Sequence, residues 1–355
     1  MCREFGAPLT IEEVDLAAPG EGEIEVTMKA VAVCHSDLAY VSGIWGGELP
    51  AVYGHEAAGL VTRVGTGVVA FEPGDAVCVT LIRSCGTCRA CSRGQVSECA
   101  QPWDKNRSPI SGPRGEKIIR AMNCGAFAEK VVVDQSQCVA LPDGVSFEAA
   151  SLVSCGVLTG AGAVVNTAKV QTGDRVAVIG AGGVGLNTIQ VATLTGAATV
   201  IAIDLLAEKR EAAKEFGATH VLDGAANDLP EQVQALTDGL GVEFVFVTVG
   251  AAQAYALAPD LLTRGGAVVA VGMPAVGTEV PYSPVDMADR SIRFLGSSMG
   301  QSHVQRDVPW LIELYGQGRL KLDELISGRW SLAEINDAFA DTRSGLARRN
   351  VILFD

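Results

Sequence analysis

Up to about residue 155, apolar positions fall in short runs broken by glycine and proline: Glu23–Ala32, Gly59–Val64, Asp75–Thr80 and Glu129–Val133. Short strands with frequent turn signals predict a β-rich, barrel-like domain. Beyond that point the period changes. Arg175–Ile179 is a β-branched run entering a glycine turn, and Gly185–Leu194 reads as a helix. Thr199–Asp204 is the next predicted strand. Ala207–Phe216 is a charged helix with Gly217 as its C-terminal stop, and Val242–Val249 and Ala267–Val271 are further strands. Alternating strands and helices predict a parallel, doubly wound sheet. From about Gly296 the pattern is mixed again, so the tail is expected to fold back onto the first domain.

The chain of 355 residues, 48% hydrophobic, is long enough for two domains. A net charge of −14 disfavours nucleic acid and anionic membrane surfaces as partners. No uninterrupted apolar run reaches roughly 18 residues, so no membrane span is expected. The start, Met1-Cys2-Arg3-Glu4-Phe5, lacks the apolar core of a secretion signal, which makes the cytoplasm the expected compartment. In such a chain the ten cysteines point to metal ligation or catalysis sooner than to disulfides.

The first chemical signal is Gly180-Ala181-Gly182-Gly183-Val184-Gly185, between a predicted strand and a predicted helix. Gly180 permits the tight turn, Gly182 lets the backbone approach a pyrophosphate, and Gly185 allows close helix–strand packing. The phosphates would meet the unpaired N–H groups of the helix N-terminus. Asp204 ends the second strand, where a carboxylate accepts hydrogen bonds from the adenosine ribose and repels a 2′-phosphate. Leu205 and Leu206 follow it, not arginine, which favours NAD over NADP.

Cys85, Cys88, Cys91 and Cys99 form C-x-x-C-x-x-C-x7-C. Four thiolates this close suit a closed tetrahedral zinc site, with Gly86 and Gly94 letting the backbone curl around the ion. All four positions filled means a structural role that orders a surface lobe. The alternatives are two local disulfides or an iron–sulfur cluster.

Three further segments carry candidate ligands: Cys34-His35-Ser36-Asp37, Gly54-His55-Glu56 and Ser154-Cys155-Gly156. Each has a plainer reading alone: a buried cysteine, a hydrogen-bonded histidine, a capping serine, surface carboxylates. Spacing leaves open whether Cys34, His55 and Cys155 share a metal. These segments, the four-cysteine lobe and the glycine turn nevertheless occur in one order and spacing. Together they resemble the zinc-containing medium-chain alcohol dehydrogenase family over essentially the whole chain. The residues around Cys155, with Gly160 to Asn166 and Ala168-Lys169, resemble the branch holding the animal-type and glutathione-dependent formaldehyde dehydrogenases.

The resemblance implies a GroES-like β-rich catalytic domain, residues 1–155 and 299–355, with an inserted Rossmann domain, 156–298, and an active site in the cleft between them. It implies two zinc ions per chain and NAD. Cys34, His55 and Cys155 would bind the catalytic ion, leaving a fourth position for water or substrate. Ser36 would take the alcohol proton, Asp37 would orient His55, and Glu56 would act as a neighbouring or transient ligand. His35 and Arg349 would contact the pyrophosphate and Lys209 the adenosine ribose, each otherwise a solvated charge. Leu81, Phe127 and Met273 would wall an apolar substrate pocket, or simply belong to the core.

Three features depart from the family pattern. Ala39 stands where many members carry the histidine that ends a proton relay. The start lacks an extra strand-forming stretch, implying a late start or a trimmed edge strand. The segment 100–123 is unusual in content, and Arg107 or Arg114 could there bind an acidic substrate such as a thiol adduct. The expected reaction is reversible NAD-linked oxidation of an alcohol, a primary one by preference, by a homo-oligomer, expected as a dimer. The rivals are a thiol-dependent formaldehyde dehydrogenase, a nicotinoprotein that never releases its NAD, and a catalytically silent zinc- and NAD-binding protein.

Overall fold

The computed structural model describes residues 1–101 and 108–355. Arg107 therefore lies outside the described residues. The chain divides into two compact units: Met1–Gly156 with His303–Gly318 and Leu322–Asp355, and Val157–Ser302 with Arg319–Lys321.

The first unit is β-rich, as the short broken runs predict. Glu23–Val33 is its longest strand and pairs antiparallel with Glu56–Val64, Lys130–Asp134 and Arg349–Leu353. Ala76–Val79, Cys138–Ala140 and Ile326–Ser331 complete a seven-stranded sheet. A smaller sheet pairs Asp15–Leu16, Ile110–Ser111, Lys117–Arg120 and Ala51–Val52. Ile24, Val26, Met28 and Val31 are fully buried, because the inner face of a half-wrapped sheet is where β-branched and long apolar side chains leave water. The tail returns here as the strand Arg349–Leu353, which is how Arg349 reaches the segments near residues 34 and 56.

The second unit holds six parallel strands. In sheet order they are His220–Asp223, Thr199–Asp204, Arg175–Ile179, Val242–Val247, Leu262–Ala270 and Arg293–Gly296. Numbered along the chain this is 3-2-1-4-5-6, the order of a dinucleotide-binding sheet. Its middle strands, Arg175–Ile179 and Val242–Val247, are buried on both faces and read as continuous apolar runs.

One expectation is corrected. The helical stretch Phe147–Ala168 has 22 residues, and its most apolar window has a mean hydropathy of 1.5, so it is long and apolar enough to cross a membrane. Ser151, Ser154, Thr159 and interspersed glycines break every continuous apolar run, which hid it from a search for such runs. The window is 89% buried within the protein, so its apolar surface is already spent on packing. Two segments of the stretch, Val153–Val157 and Ala163–Ala168, are π-helical, and the first carries Cys155.

Candidate active site and metal centres

The short helix His35–Val41 starts from Cys34, whose extended backbone caps it. Asp37 organises this end. Its Oδ2 accepts from the Cys34 N–H at 3.0 Å, its Oδ1 accepts from the Gly54 N–H at 3.1 Å, and the same Oδ1 lies 3.2 Å from His55 Nδ1. One buried carboxylate thus ties the Cys34 and His55 segments together and holds the proton on Nδ1. The other ring nitrogen, His55 Nε2, is buried with no hydrogen-bond partner among the described residues. A buried acceptor left unpaired is costly unless something else meets it.

What surrounds that nitrogen is a donor set. One ligand atom from each of Cys34, His55, Glu56 and Cys155 lies within 4.8 Å of the others, and all four residues are buried. Cys155 hydrogen-bonds Cys34, which outweighs burial and holds the Cys34 thiol well below its ordinary pKa; the same bond, with burial, raises Cys155. Two thiols sharing a proton beside a bare imidazole nitrogen are what a cation needs: the proton leaves and the sulfurs take the ion. The residues present fit a zinc ion with two sulfurs and one nitrogen.

Glu56 is fully buried, and burial pushes its carboxyl up to about 8 against the pull of Arg349. The Arg349 guanidinium, 6% exposed, forms an ion pair with Glu56. A Cβ at Gly156 would collide with Arg349 Nη1, so the glycine after Cys155 makes room for this pair. Arg349, expected at a pyrophosphate, is thus engaged inside the donor cluster. Its charge only partly offsets the burial that favours the neutral Glu56 carboxyl. Ser36 is half-buried, with Oγ 3.6 Å from Cys34 Sγ. His35, at the first position of the helix, is exposed.

The four-cysteine lobe is also assembled. The sulfurs of Cys85, Cys88, Cys91 and Cys99 all lie within 4.8 Å of one another, with Cys85–Cys91 at 3.9 Å and Cys88–Cys99 at 4.0 Å. A regular tetrahedron with metal–sulfur bonds of about 2.3 Å has edges of about 3.8 Å. All ten cysteines are free, so the disulfide alternative does not hold. Backbone N–H groups of Cys85, Cys88 and Cys91 point at sulfurs of Cys99, Cys85 and Cys88 at 3.4, 3.3 and 3.5 Å. Hydrogen bonds from the Thr87 and Cys88 backbone lower Cys85 to about 6, already favouring thiolate at neutral pH.

In the second unit the glycine turn takes the expected shape. Gly180 has φ +99°, and a side chain there would collide with Val249; one at Gly185 would collide with the Gly180 carbonyl. Gly182 precedes the helix Gly183–Leu194 and has open space where a Cβ would be. Asp204 accepts from the Ala181 N–H at 2.8 Å and the Leu206 N–H at 3.0 Å, so the carboxylate expected at the ribose is tied to the glycine turn. Lys209 is half-buried. Sequence reasoning missed Arg210, whose Nη1 donates to the Asp204 carbonyl at 2.8 Å and lies 3.4 Å from Asp223; its place one turn into a helix after Asp204 was the available signal.

Pocket expectations divide. Phe127 is buried and Leu81 half-buried, both packed in the core of the first unit. Met273 is 65% exposed. Arg114 is 91% exposed, with Glu116 3.9 Å away, a solvated position.

Residues 20–143 match the alcohol dehydrogenase GroES-like domain and residues 183–317 the zinc-binding dehydrogenase domain. The chain is 35% identical to the NDMA-dependent alcohol dehydrogenase of Amycolatopsis methanolica, covering 98% of this chain and 96% of the relative. It is also 35% identical to the S-(hydroxymethyl)glutathione dehydrogenase of Saccharomyces cerevisiae, over 98% of this chain and 94% of that one. The crystal structure of an alcohol dehydrogenase zinc-binding domain protein from Burkholderia ambifaria superposes with a TM-score of 0.95 at 30% identity, covering 100% of this chain and 97% of that chain. A GroES-like unit with a cysteine–histidine donor set, and a Rossmann unit with an open glycine turn, define a zinc-dependent dehydrogenase. The chain belongs to the zinc-type alcohol dehydrogenase family.

Proposed function

We propose that the protein interconverts a primary alcohol and its aldehyde with NAD, using one zinc ion at Cys34, His55 and Cys155 and a second, structural ion at Cys85, Cys88, Cys91 and Cys99. The observation that carries this is the convergence of two sulfurs and an unpaired imidazole nitrogen within 4.8 Å, with the Ser36 hydroxyl beside Cys34. When bound, zinc supplies Lewis acidity that lowers the pKa of the alcohol, and the dinucleotide supplies the hydride acceptor.

The chain's own residues do the rest. Asp37 fixes His55 so that Nε2 faces the donor set. Ser36 Oγ takes the alcohol proton. Arg349 holds Glu56 near the ligands, where it serves as an alternative ligand. The open turn at Gly182 and the Asp204 carboxylate favour NAD over NADP. His35 is assigned to the pyrophosphate and Lys209 to the adenosine ribose. We place the protein in the cytoplasm as a homodimer.

The test is direct. Purified protein should hold about two zinc ions per chain and reduce NAD⁺ with ethanol or another primary alcohol. Removal of the more accessible ion alone should leave turnover; removal of both should abolish it. Zinc-replete protein that reduces NAD⁺ with no member of a broad alcohol panel would refute the reading. The S-(hydroxymethyl)glutathione dehydrogenase relative supports a second reading, a thiol adduct as substrate. Stimulation of formaldehyde oxidation by glutathione or mycothiol would establish it.

A further inference from the structure

The peptide Gly180–Ala181, which opens the glycine turn, is gripped by a side chain at each end. Its N–H, on Ala181, donates to Asp204 Oδ2 at 2.8 Å. Its carbonyl, on Gly180, accepts from the Thr248 hydroxyl at 2.8 Å. The two grips come from opposite sides. The strand Arg175–Ile179 runs between Thr199–Asp204 and Val242–Val247 in the sheet. Asp204 ends one neighbour, and Thr248 directly follows the other. A trans peptide is planar, with its N–H and C=O pointing opposite ways, so bonds at both ends fix the rotation of the plane.

Thr248 Oγ1 also lies 3.0 Å from the Ile179 carbonyl, but the Thr248 backbone N–H already serves that carbonyl at 3.0 Å. The Gly180 carbonyl is therefore the acceptor for which the hydroxyl matters. That carbonyl is closely confined: a Cβ at Gly185 would strike it, and a Cβ at Gly180 would strike Thr248 and Val249. Gly180 holds φ +99° with no side chain of its own to keep it there, so an outside bond has to. Two residues on, Gly182 leaves open space where a Cβ would be, and the helix Gly183–Leu194 begins. The unpaired N–H groups at that helix start are the ones an anion meets. Rotation of the Gly180–Ala181 plane re-aims them.

Resting on the NAD-dependent dehydrogenase reading above, we propose that Thr248 is a positioning residue for the dinucleotide. Its hydroxyl locks the Gly180–Ala181 peptide and so aims the N–H groups that receive the pyrophosphate. Without the hydroxyl the plane is held at one end only, and part of the binding free energy goes into re-ordering the turn.

Binding tests this without turnover. NADH is titrated by its fluorescence, and ADP-ribose and adenosine by displacement of NADH. Thr248→Val and Thr248→Ala remove the hydroxyl, one at nearly constant volume and one with room to spare; Thr248→Ser keeps it. The two hydroxyl-free variants should bind NADH and ADP-ribose about tenfold more weakly, the effect of one lost hydrogen bond, and the serine variant should stay within about twofold of wild type. Adenosine carries no phosphate, so its affinity should change by less than about twofold in all three. In turnover the loss should fall on KM for NAD more than on kcat. Adenosine weakened as much as ADP-ribose would make Thr248 a support of the fold and overturn the proposal. So would wild-type affinities in either folded hydroxyl-free variant, or a serine variant as weak as the valine one. Wild-type protein that binds NADH yet oxidises no alcohol fails the dehydrogenase reading alone, and the three variants still decide the role of Thr248.

Discussion

Asp37 Oδ1 lies 3.2 Å from His55 Nδ1, and neither side chain has any exposed surface. The same carboxylate holds the backbone N–H groups of Cys34 and Gly54. Asp37 therefore sets the tautomer of one candidate ligand and the position of the segments bearing two. Asp37→Asn keeps the volume but offers one donor amide where two acceptor oxygens were used. Zinc affinity at this site, measured by competition with a chelator, should fall about 10–100-fold. The four-cysteine ion should remain. A variant that keeps wild-type metal affinity would show that Asp37 is only a packing residue.

The proposed second metal centre makes a separable prediction. Cys91→Ser removes one of four sulfurs from a lobe whose cysteines are half-exposed and whose remaining cohesion is a few turns. Zinc content should drop from about two to about one per chain. Limited proteolysis should cut first between residues 85 and 99. Catalytic turnover should outlast the loss of that ion while the seven-stranded sheet stays folded. Loss of both ions together would mean that the lobe supports the Cys34–His55–Cys155 set.

Much of this was legible in the chain, for identifiable reasons. Arg175–Ile179 and Thr199–Asp204 appear with the bounds their β-branched runs predict, because a strand buried on both faces leaves a short uninterrupted apolar signature. The four-cysteine lobe is local, so spacing alone announces it. Cys155 was legible only through resemblance. It sits in a π-helical turn of a long helix that no periodicity revealed, since Ser, Thr and Gly interleave with its apolar residues. The Glu56–Arg349 pair joins positions 293 residues apart, a relation that only the sheet pairing of Arg349–Leu353 with Glu23–Val33 creates. His220–Asp223 and Arg293–Gly296 escaped because edge strands carry polar residues and too few apolar positions.

Asp204 holds the glycine turn and is the residue we assign to the ribose, so its replacement should separate the two roles. Asp204→Asn keeps an acceptor for the Ala181 or Leu206 N–H but removes the charge that repels a 2′-phosphate. Arg210, which donates to the Asp204 carbonyl, keeps a cation beside that strand end. The ratio of kcat/KM with NADP to that with NAD should rise about tenfold or more, mostly through KM. An unchanged ratio would place cofactor choice elsewhere.

Glu243 and Arg175 join two adjacent parallel strands, with Oε1 2.6 Å from Nη2 and a further bond from the Arg175 backbone N–H. Burial alone would raise the Glu243 carboxyl; the bonds from Arg175 outweigh it and leave the pKa lowered. A carboxyl depressed in the folded state stabilises at pH values above its unfolded pKa, and that stability disappears as pH falls through the folded pKa. Glu243→Gln should cost about 1 kcal/mol at neutral pH, discounted for partial exposure. The cost should shrink as pH falls below the ordinary glutamate pKa of about 4.3, where the unfolded carboxyl takes up its proton before the folded one does. Chemical denaturation at neutral and acid pH measures it; an equal cost at both would remove the ionic contribution.

The last prediction concerns the proton. In the proposed reaction Ser36 takes it from the alcohol, but Ala39, three residues on and half-buried on the same helix, offers no group to pass it outward. Without a titrating relay near neutrality, release to solvent depends on hydroxide or on slower transfer through water, so alcohol oxidation should accelerate well into the alkaline range. Ala39→His places an imidazole, titrating near pH 6.5, one helical turn from Ser36. The acid limb of kcat/KM for alcohol oxidation should then move to lower pH by about one unit, while the alkaline plateau changes little. Aldehyde reduction, which consumes the proton, should gain at the same pH values. A wild-type profile that is flat or highest at acid pH, or a histidine variant whose limb does not move, would mean that the proton leaves by a path independent of residue 39.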